Sequence, residues 1–431
     1  MKILKHTDPN FARRRSKLAA AAPLFDEGIE RRVRDILRAV KADGDKALLR
    51  FTKKFDGVKM AAGDLAVSST ELRRASRAVG ADVKAALKFA HKNIEAFHRK
   101  GLRKGWSGKN AQGAVVGEKF DAFQRVGIYI PGGTAPLVST TLMTVTLAKV
   151  AGCKEICVCT PPGPGGGVND ALIHACQLAG AREIYKVGGA QAIATMAYGT
   201  KTIAPVQKIF GPGNAYVVAA KRLLFGQVSV DLLPGPSELL VLADESANPK
   251  FIAADLLAQA EHGSGLERCW LVTPSGKLLR AVEREISKQL PKLSRSRFIK
   301  VALKKNGWLI QVKKLDDAIG LANDLAPEHC EVMVRGAKKV VKDIVTAGAI
   351  FVGPWSPTVL GDYVAGPSHT LPTGGAGRSF AGLTVDQFQR RTSVVEFSKS
   401  ALKKSVAAVE KIAGVEGLDA HGRSAAIRLE I

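Results

Sequence analysis

The first part of the chain shows an apolar residue at every third or fourth position, which is the spacing of amphipathic helices. This spacing predicts that residues 1–60 are helical, with helices over 11–18, 29–40 and 45–55. Ser68-Ser69-Thr70-Glu71 has the spacing of a capping box, so we expect it to open a pair of helices, the second over 81–99.

From residue 125 the pattern changes to short apolar runs, each followed by glycines and then by a helical run. The runs predict strands over 126–130, 155–160, 183–187 and 208–210, and helices over 137–150, 169–178, 191–198 and 215–224. This repeat predicts an α/β fold with a doubly wound parallel sheet.

The glycines fall at the carboxyl ends of these strands, where such sheets bind ligands and where helix N-termini favour anions. No GxGxxG follows any strand, so nucleotide binding is suggested by topology and not by a motif. The alternative is that the glycines only make tight turns.

A second αβ unit is predicted over residues 227–352. A loop over 353–378 and a tail over 385–431 follow, and the tail contains a strand near 393–397 and two helices. Irregular loops of this length inside a domain are usually functional.

The composition is that of a globular chain of 431 residues, long enough for two or three domains, with an unusual net charge of +25. No apolar run approaches a membrane span, the N-terminus has no signal-peptide core, and no CxxC pair exists among the six cysteines. We therefore expect a cytoplasmic protein without disulfides. The basic charge allows nucleic-acid binding, but no aromatic residues interleave with it, so a solvated surface is favoured.

The end of a predicted helix over 248–262 carries a candidate metal site. Gln259 and His262 are three residues apart and share a helix face, and Asp255 lies four before Gln259. An amide oxygen and an imidazole nitrogen are suitable ligands for zinc. The alternative is an ordinary polar helix end.

Two further residues extend this set. Asp362 lies in the long loop and His421 lies in the last helix, so with Gln259 and His262 they give nitrogen and oxygen ligands for one zinc ion. Sequence alone does not show that the four converge. For the histidines outside the motifs, His6, His91, His98 and His174, we expect a surface role.

Glu328-His329 places a carboxylate beside an imidazole just before a predicted strand. A histidine of near-neutral pKa suits proton abstraction from an alcohol, and a glutamate can activate water. The alternative is a polar pair at a helix end.

Several motifs occur in order along nearly the whole chain. They are Gly44-Asp45-Lys46-Ala47-Leu48, Val126-Gly127-Ile128-Tyr129-Ile130-Pro131-Gly132-Gly133, Gly211-Pro212-Gly213-Asn214, Gly235-Pro236-Ser237-Glu238, Ala258-Gln259-Ala260-Glu261-His262-Gly263, Leu325-Ala326-Pro327-Glu328-His329, Gly361-Asp362-Tyr363, Ser368-His369-Thr370-Leu371-Pro372-Thr373 and Glu416-Gly417-Leu418-Asp419-Ala420-His421. Together they resemble the histidinol dehydrogenase family.

The resemblance implies oxidation of L-histidinol to L-histidine through the aldehyde with two NAD, at the end of histidine biosynthesis. It implies a zinc-containing homodimer with two incomplete Rossmann-like domains and small helical terminal segments. The implied segments are 1–23, 24–127 with 237–384 as the large domain, 128–236 as the NAD-binding domain, and 385–431 as a tail that completes the partner's site.

Residue roles carry over by motif. The implied zinc ligands, which also contact substrate, are Gln259, His262, Asp362 and His421. The resemblance implies that His329 is the base and contacts substrate, and that Glu328 activates water. The other implied contacts are Ser237, His369 and Glu416 with substrate, and Tyr129, Gln191 and Asn214 with NAD.

The chain departs from the family pattern at Ser368-His369-Thr370, where many members have Asn-His-Val. The alternative function is therefore a zinc- and NAD-dependent paralogue that oxidises another small alcohol. A basic nucleic-acid-binding protein on a retired enzyme scaffold is a third hypothesis, disfavoured because the candidate ligands and the Glu-His pair are all present. We expect no nucleic acid and no membrane among the partners.

Overall fold

A computed structural model describes residues 1–19, 26–132 and 136–430. Two parallel sheets and one antiparallel sheet form its framework. Gly133, Thr134 and the predicted segment boundary at residue 23 lie outside the described residues.

Fourteen strands are present in the described part. They are β1 (Lys2–Lys5), β2 (Trp106–Lys109), β3 (Val115–Ala122), β4 (Arg125–Tyr129), β5 (Glu155–Thr160), β6 (Glu183–Lys186), β7 (Lys208–Phe210), β8 (Ser229–Val230), β9 (Glu238–Ala243), β10 (Arg268–Thr273), β11 (Gly307–Gln311), β12 (His329–Met333), β13 (Ala349–Val352) and β14 (Gln389–Glu396).

The α-helices of the described part connect and cover these strands. They are α1 (Phe11–Ala19), α2 (Glu27–Asp43), α3 (Asp45–Phe55), α4 (Ser69–Ala78), α5 (Ala81–Arg99), α6 (Val138–Ala151), α7 (Asp170–Ala179), α8 (Gly189–Tyr198), α9 (Ala215–Leu224), α10 (Pro249–Ala260), α11 (Gly276–Gln289), α12 (Ser296–Asn306), α13 (Leu315–Leu325), α14 (Ala337–Val340), α15 (Thr358–Tyr363), α16 (Lys399–Glu416) and α17 (Asp419–Ala426).

The first parallel sheet has the order β6-β5-β4-β7-β8, and we name it the cofactor sheet. Its strands are apolar on both faces because helices cover both sides, as all-parallel sheets require. Cys157 and Cys159 alternate along β5 and share one buried face. Helices α2 to α5 also contribute to the two cores of this sheet.

The second parallel sheet has the order β1-β11-β10-β9-β12-β13, and we name it the catalytic sheet. Its central strands, β9 and β12, are paired in register, with His329 opposite Leu239. Apart from the edge strand β1, the order of strands repeats that of the cofactor sheet. The predicted α/β fold class with two incomplete Rossmann-like sheets is confirmed.

The third sheet, in the order β14-β3-β2, is antiparallel and ties the tail to the body of the subunit. Beyond β14, helices α16 and α17 pack chiefly against each other. The division of the chain into four segments remains a prediction.

Most predicted elements are confirmed, and several bounds agree to the residue, including 45–55, 81–99 and 215–224. The Ser68 capping box is present, with the hydroxyl accepting from the Glu71 N–H and the Glu71 carboxylate accepting from the Ser68 N–H. No helix within the described residues is both long enough and apolar enough to cross a membrane.

Four predictions were wrong. Residues 2–5 form a strand because a neighbouring sheet edge at β11 accepts them, which local pattern does not reveal. The helix over 248–262 ends at Ala260, so His262 lies in the turn beyond it. The loop over 353–378 contains α15, which carries Asp362. His98 is buried and not at the surface.

Candidate active site

The Glu328-His329 pair sits at the amino end of β12, immediately after a strained turn. Helix α13 ends at Ala326, which has φ 45° and is the one non-glycine residue with positive φ in the described part of the chain. Pro327 then leads into the pair. A buried alanine in the left-handed region costs of order 1 kcal/mol, and such strain is concentrated at functional sites.

Glu328 is held in a fixed orientation by two donors. Its Oε2 accepts a hydrogen bond from the Ser237 hydroxyl at 2.5 Å and from the Glu238 backbone N–H at 2.8 Å. Burial raises the pKa of Glu328, and the nearby His329 and these donors oppose that rise. Its Oε1 is left for another partner, such as a water molecule.

His329 is buried, and its two nitrogens have different environments. Nδ1 lies 2.9 Å from the backbone carbonyl oxygen of Glu238, which can only accept, so Nδ1 carries the proton. Nε2 is buried, has no hydrogen bond within the described residues, and lies 3.7 Å from Asp362 Oδ1. In this tautomer, Nε2 is the nitrogen that can accept a proton.

Glu238 supports this arrangement and was not identified from the sequence. Its backbone contacts both Glu328 and His329, while its carboxyl group is buried beside Arg268 at 3.3 Å. Burial raises the pKa of Glu238 to about 7. Nothing in the local sequence pattern distinguishes it, because its role is a backbone role.

Asp362 links His329 to His369. Asp362 Oδ1 lies 3.9 Å from Nδ1 of His369, whose Nε2 lies 3.2 Å from the hydroxyl of Thr140. Burial lowers the pKa of His369. Thr140 is in the first turn of α6, so this chain of contacts joins the catalytic sheet to the domain of the cofactor sheet.

Gln259 and His262 fit the requirements of metal ligands. Gln259 is buried, and its Nε2 has no hydrogen-bond partner among the described residues. Nδ1 of His262 is 2.9 Å from the Gln259 carbonyl oxygen, so Nδ1 carries the proton and Nε2 is free for a metal. A backbone carbonyl that fixes the tautomer is usual for metal-binding histidines.

The zinc set is incomplete within one subunit. The described residues contain no group of three His, Cys, Asp or Glu side chains that could hold a metal ion. His421 and Glu416 are exposed on the tail, and His421 lines a small hollow there with Phe397 and Lys399. Within the described chain, no hydrogen bond or ion pair joins either side chain to Gln259, His262 or Asp362.

A cavity of about 1380 Å³ opens at the carboxyl ends of the cofactor-sheet strands. Tyr129, Gln191 and Asn214 all line it, as do Gly132 and Gly189. The structure thus brings together the three residues predicted to contact NAD.

Each of these three residues has a definite local setting. The Tyr129 hydroxyl accepts from the Gly189 N–H at 3.0 Å. Gln191 is buried with neither amide atom bonded to another described residue, so both are available to a ligand. Asn214 caps α9, accepting from the Tyr216 and Val217 N–H groups.

A buried ion pair that the sequence did not reveal supports the loop before Asn214. The Lys221 ammonium donates to Asp231, and also to the Gly211 carbonyl at 2.9 Å, while the Gly211 N–H donates to Asp231 at 2.8 Å. Gly211 has φ 110°, and a Cβ there would lie 2.1 Å from the Tyr129 carbonyl oxygen, so only glycine fits.

A large cavity at the carboxyl ends of one parallel sheet and an imidazole–carboxylate pair on another are the features expected of an NAD-dependent oxidoreductase that acts on a CH–OH group. The sequence profile of the histidinol dehydrogenase family matches residues 22–429. The chain belongs to the histidinol dehydrogenase family.

Individual relatives agree with this assignment. The chain is 45% identical to histidinol dehydrogenase from a Synechococcus strain, over 93% of this chain and 92% of that protein. It is 42% identical to the enzyme from Syntrophotalea carbinolica, over 100% and 99% of the two chains. The crystal structure of histidinol dehydrogenase from Elizabethkingia anophelis superposes with a TM-score of 0.94 at 35% identity, covering 100% of this chain and 98% of that one.

Proposed function

We propose that this enzyme oxidises L-histidinol to L-histidine in two NAD-dependent steps, with the aldehyde held between them. The observation that carries the proposal is the setting of His329, which follows Glu328 directly: its Nε2 is buried with no hydrogen-bond partner among the described residues, and Nδ1 is held by a backbone carbonyl oxygen. The alternative substrate, another small alcohol, is not favoured by the family relationship.

His329 Nε2 takes the alcohol proton in the first step. The imidazole cannot rotate freely, because Nδ1 is held by the Glu238 carbonyl oxygen. NAD held by Tyr129, Gln191 and Asn214 would supply the hydride acceptor, and zinc held by Gln259, His262, Asp362 and the other subunit's His421 would supply a binding site for the nitrogen atoms of the substrate.

Glu328 acts in the second step, where water adds to the aldehyde. Its Oε2 is held by Ser237 and Glu238, so Oε1 is the oxygen that accepts the water proton. A carboxyl group whose pKa is raised toward neutrality is a stronger base than an exposed one. Release of a second hydride from the hydrated aldehyde yields the carboxylate, which gives two NADH per histidinol.

For substrate and cofactor contacts we propose the residues that the geometry gathers. We propose that Ser237, Gln259, His262, Asp362 and His369 form the substrate subsite together with His329; Asp362 lies 3.7 Å from His329, and Ser237 bonds to the neighbouring Glu328. Tyr129, Gln191 and Asn214 contact NAD in the large cavity.

We propose that zinc is held by Gln259, His262 and Asp362 of one subunit and by His421 of the other subunit's tail. All four are nitrogen or oxygen donors that zinc accepts. Gln259 is buried, and its amide oxygen is the atom that zinc would accept.

The tail supports a homodimer with shared sites. Helix α16 exposes Ile412 and Val415, the latter 90% exposed, and α15 beside the site exposes Leu360 and Tyr363. Isolated chains rarely leave such apolar faces uncovered. A second copy whose tail covers α15 would bury both faces and would deliver Glu416 and His421.

We also propose a cytoplasmic location. The six cysteines of the chain are all free and buried, which is usual for proteins of reducing compartments. Fractionation of cells with an antibody against the enzyme tests this.

The test of the proposed function is NADH production from L-histidinol by the purified zinc-loaded enzyme. We expect two NADH per histidinol and loss of turnover with a chelator, restored by zinc. Absence of NADH from histidinol, with turnover of another small alcohol, would overturn the substrate assignment. His174→Asn, at a half-buried histidine outside the site, is the control for substitutions at His329.

A further inference from the structure

Two carboxyl groups meet beneath the active site, and the reaction described above does not use them. Asp255 lies on α10 and Glu331 lies on β12, and their carboxyl groups are close enough to interact directly and to share a proton. Two ionised carboxylates have no proton to share, so one of the pair carries a proton.

Glu331 is the member that carries the proton. Its Oε1 accepts from both the backbone N–H and the hydroxyl of Thr358, each at 2.7 Å. Its Oε2 is buried and has no other donor within the described residues, so a proton on Oε2 donates to Asp255. Burial raises the pKa of both groups, and the charge of Asp255 raises that of Glu331 further.

The three interacting residues lie on the three elements that carry the site. Asp255 is one helical turn before Gln259 on α10, and Thr358 is one turn before Asp362 on α15. Glu331 is two residues after His329 on β12, where alternate side chains share a face. The three segments are therefore linked to each other close to their functional side chains, at a distance of one helical turn on α10 and α15 and of two residues on β12.

We infer that the Asp255–Glu331–Thr358 network is a positioning device that sets the spacing between Gln259, His329 and Asp362. The inference rests on the proposed function, since it names residues that act through that site. An apolar contact of similar size is non-directional, whereas these bonds fix distance and angle, as a site held to a fraction of an ångström requires.

The experiment compares alanine and amide variants at the same positions. We expect Asp255→Ala and Glu331→Ala to lower kcat and zinc affinity by roughly 10–100-fold, the usual effect of losing a group that supports metal ligands. Asp255→Asn and Glu331→Gln should stay within about threefold of wild type, because an amide N–H replaces the shared carboxyl proton.

Zinc affinity is measured by competition with a chromophoric chelator, and folding by thermal denaturation. Asp231→Asn, at a buried carboxylate beneath the NAD loop, is the matched control and should leave zinc affinity unchanged. If the pair only stabilised the fold, all variants would be less stable, and the amide and alanine variants would bind zinc with the same affinity.

Two outcomes would overturn the inference: amide variants that fold but lose zinc as the alanine variants do, or alanine variants that bind zinc like wild type. If the alanine variants do not fold, the zinc affinities of the amide variants alone test the inference. Failure of wild type to oxidise histidinol would refute the substrate assignment, whereas the zinc affinities would still test the network.

Discussion

The two parallel sheets share one strand order but use opposite ends for function. In the cofactor sheet, the cavity lies at the carboxyl ends, after Tyr129 and before Asn214. In the catalytic sheet, Ser237 precedes β9 and His329 begins β12, so the proposed substrate-binding and catalytic residues lie at the amino ends of the strands. The rule that ligands bind at the carboxyl ends of parallel strands therefore predicts the position of the proposed cofactor site, but it would place the proposed catalytic site at the wrong end of its sheet.

The physical reason lies in the connections of the catalytic sheet. Helix α10 runs back from the carboxyl end of β9, so its last turn, with Gln259, returns to the amino ends. The left-handed turn at Ala326 brings Glu328 and His329 to the same level. Contact between Thr140 and His369 then places this edge next to the cofactor domain.

The largest effect is expected from removing the catalytic base. His329→Asn should lower kcat by about 10³-fold, because general-base catalysis contributes this much, while zinc stays bound. Steady-state NADH production and metal analysis check the two parts. Loss of zinc in this variant would contradict the separation of the base from the metal ligands, and His174→Asn should match wild type in both assays.

The tail provides the next test, because it belongs to neither sheet. His421→Ala should be inactive alone, since its tail cannot complete either site. Mixed with His329→Asn and refolded or co-expressed at equal amounts, it should recover about one quarter of wild-type activity: half of the dimers are mixed, and each has one intact site of two. No recovery in dimers shown to be mixed would contradict shared sites.

A change confined to the cofactor cavity should affect NAD binding more than chemistry. Gln191→Ala removes a buried amide that has no other described partner, so we expect KM for NAD to rise about tenfold, with zinc affinity unchanged. Titration of NAD at saturating histidinol checks this. An unchanged KM for NAD would remove Gln191 from the cofactor site.

The smallest expected effect is a pH dependence from His98, which is buried in the last turn of α5. Burial lowers its pKa from 6.5 to about 4. Below pH 6.5 the unfolded chain binds a proton that the folded chain does not, so stability falls as the pH falls. The expected loss between pH 7 and pH 6 is about 0.7 kcal/mol.

Comparison with His98→Gln isolates this contribution. Buried carboxyl groups with raised pKa values, such as Glu238, change stability in the opposite direction over the same range, and both proteins contain them. Denaturant unfolding at the two pH values gives the difference. Equal pH dependence in the two proteins would contradict the assignment to His98.

The sequence by itself determined the local elements and the identity of the chemistry. Periodic apolar positions predicted α3, α5 and α9 to the residue, because side-chain spacing and caps act locally. The motifs around Gln259, Glu328 and Asp362 indicated the family and the site residues that we propose.

Only the tertiary structure decided where these residues meet. The strand at Lys2–Lys5 forms because β11 offers an edge, and helix α15 forms where its Thr358 bonds to Glu331 of a distant strand. The Asp255–Glu331 contact and the tautomer of His329 depend on burial and on partners far apart in the chain. Such contacts have no local signal, because their free energy arises only after the segments pack together.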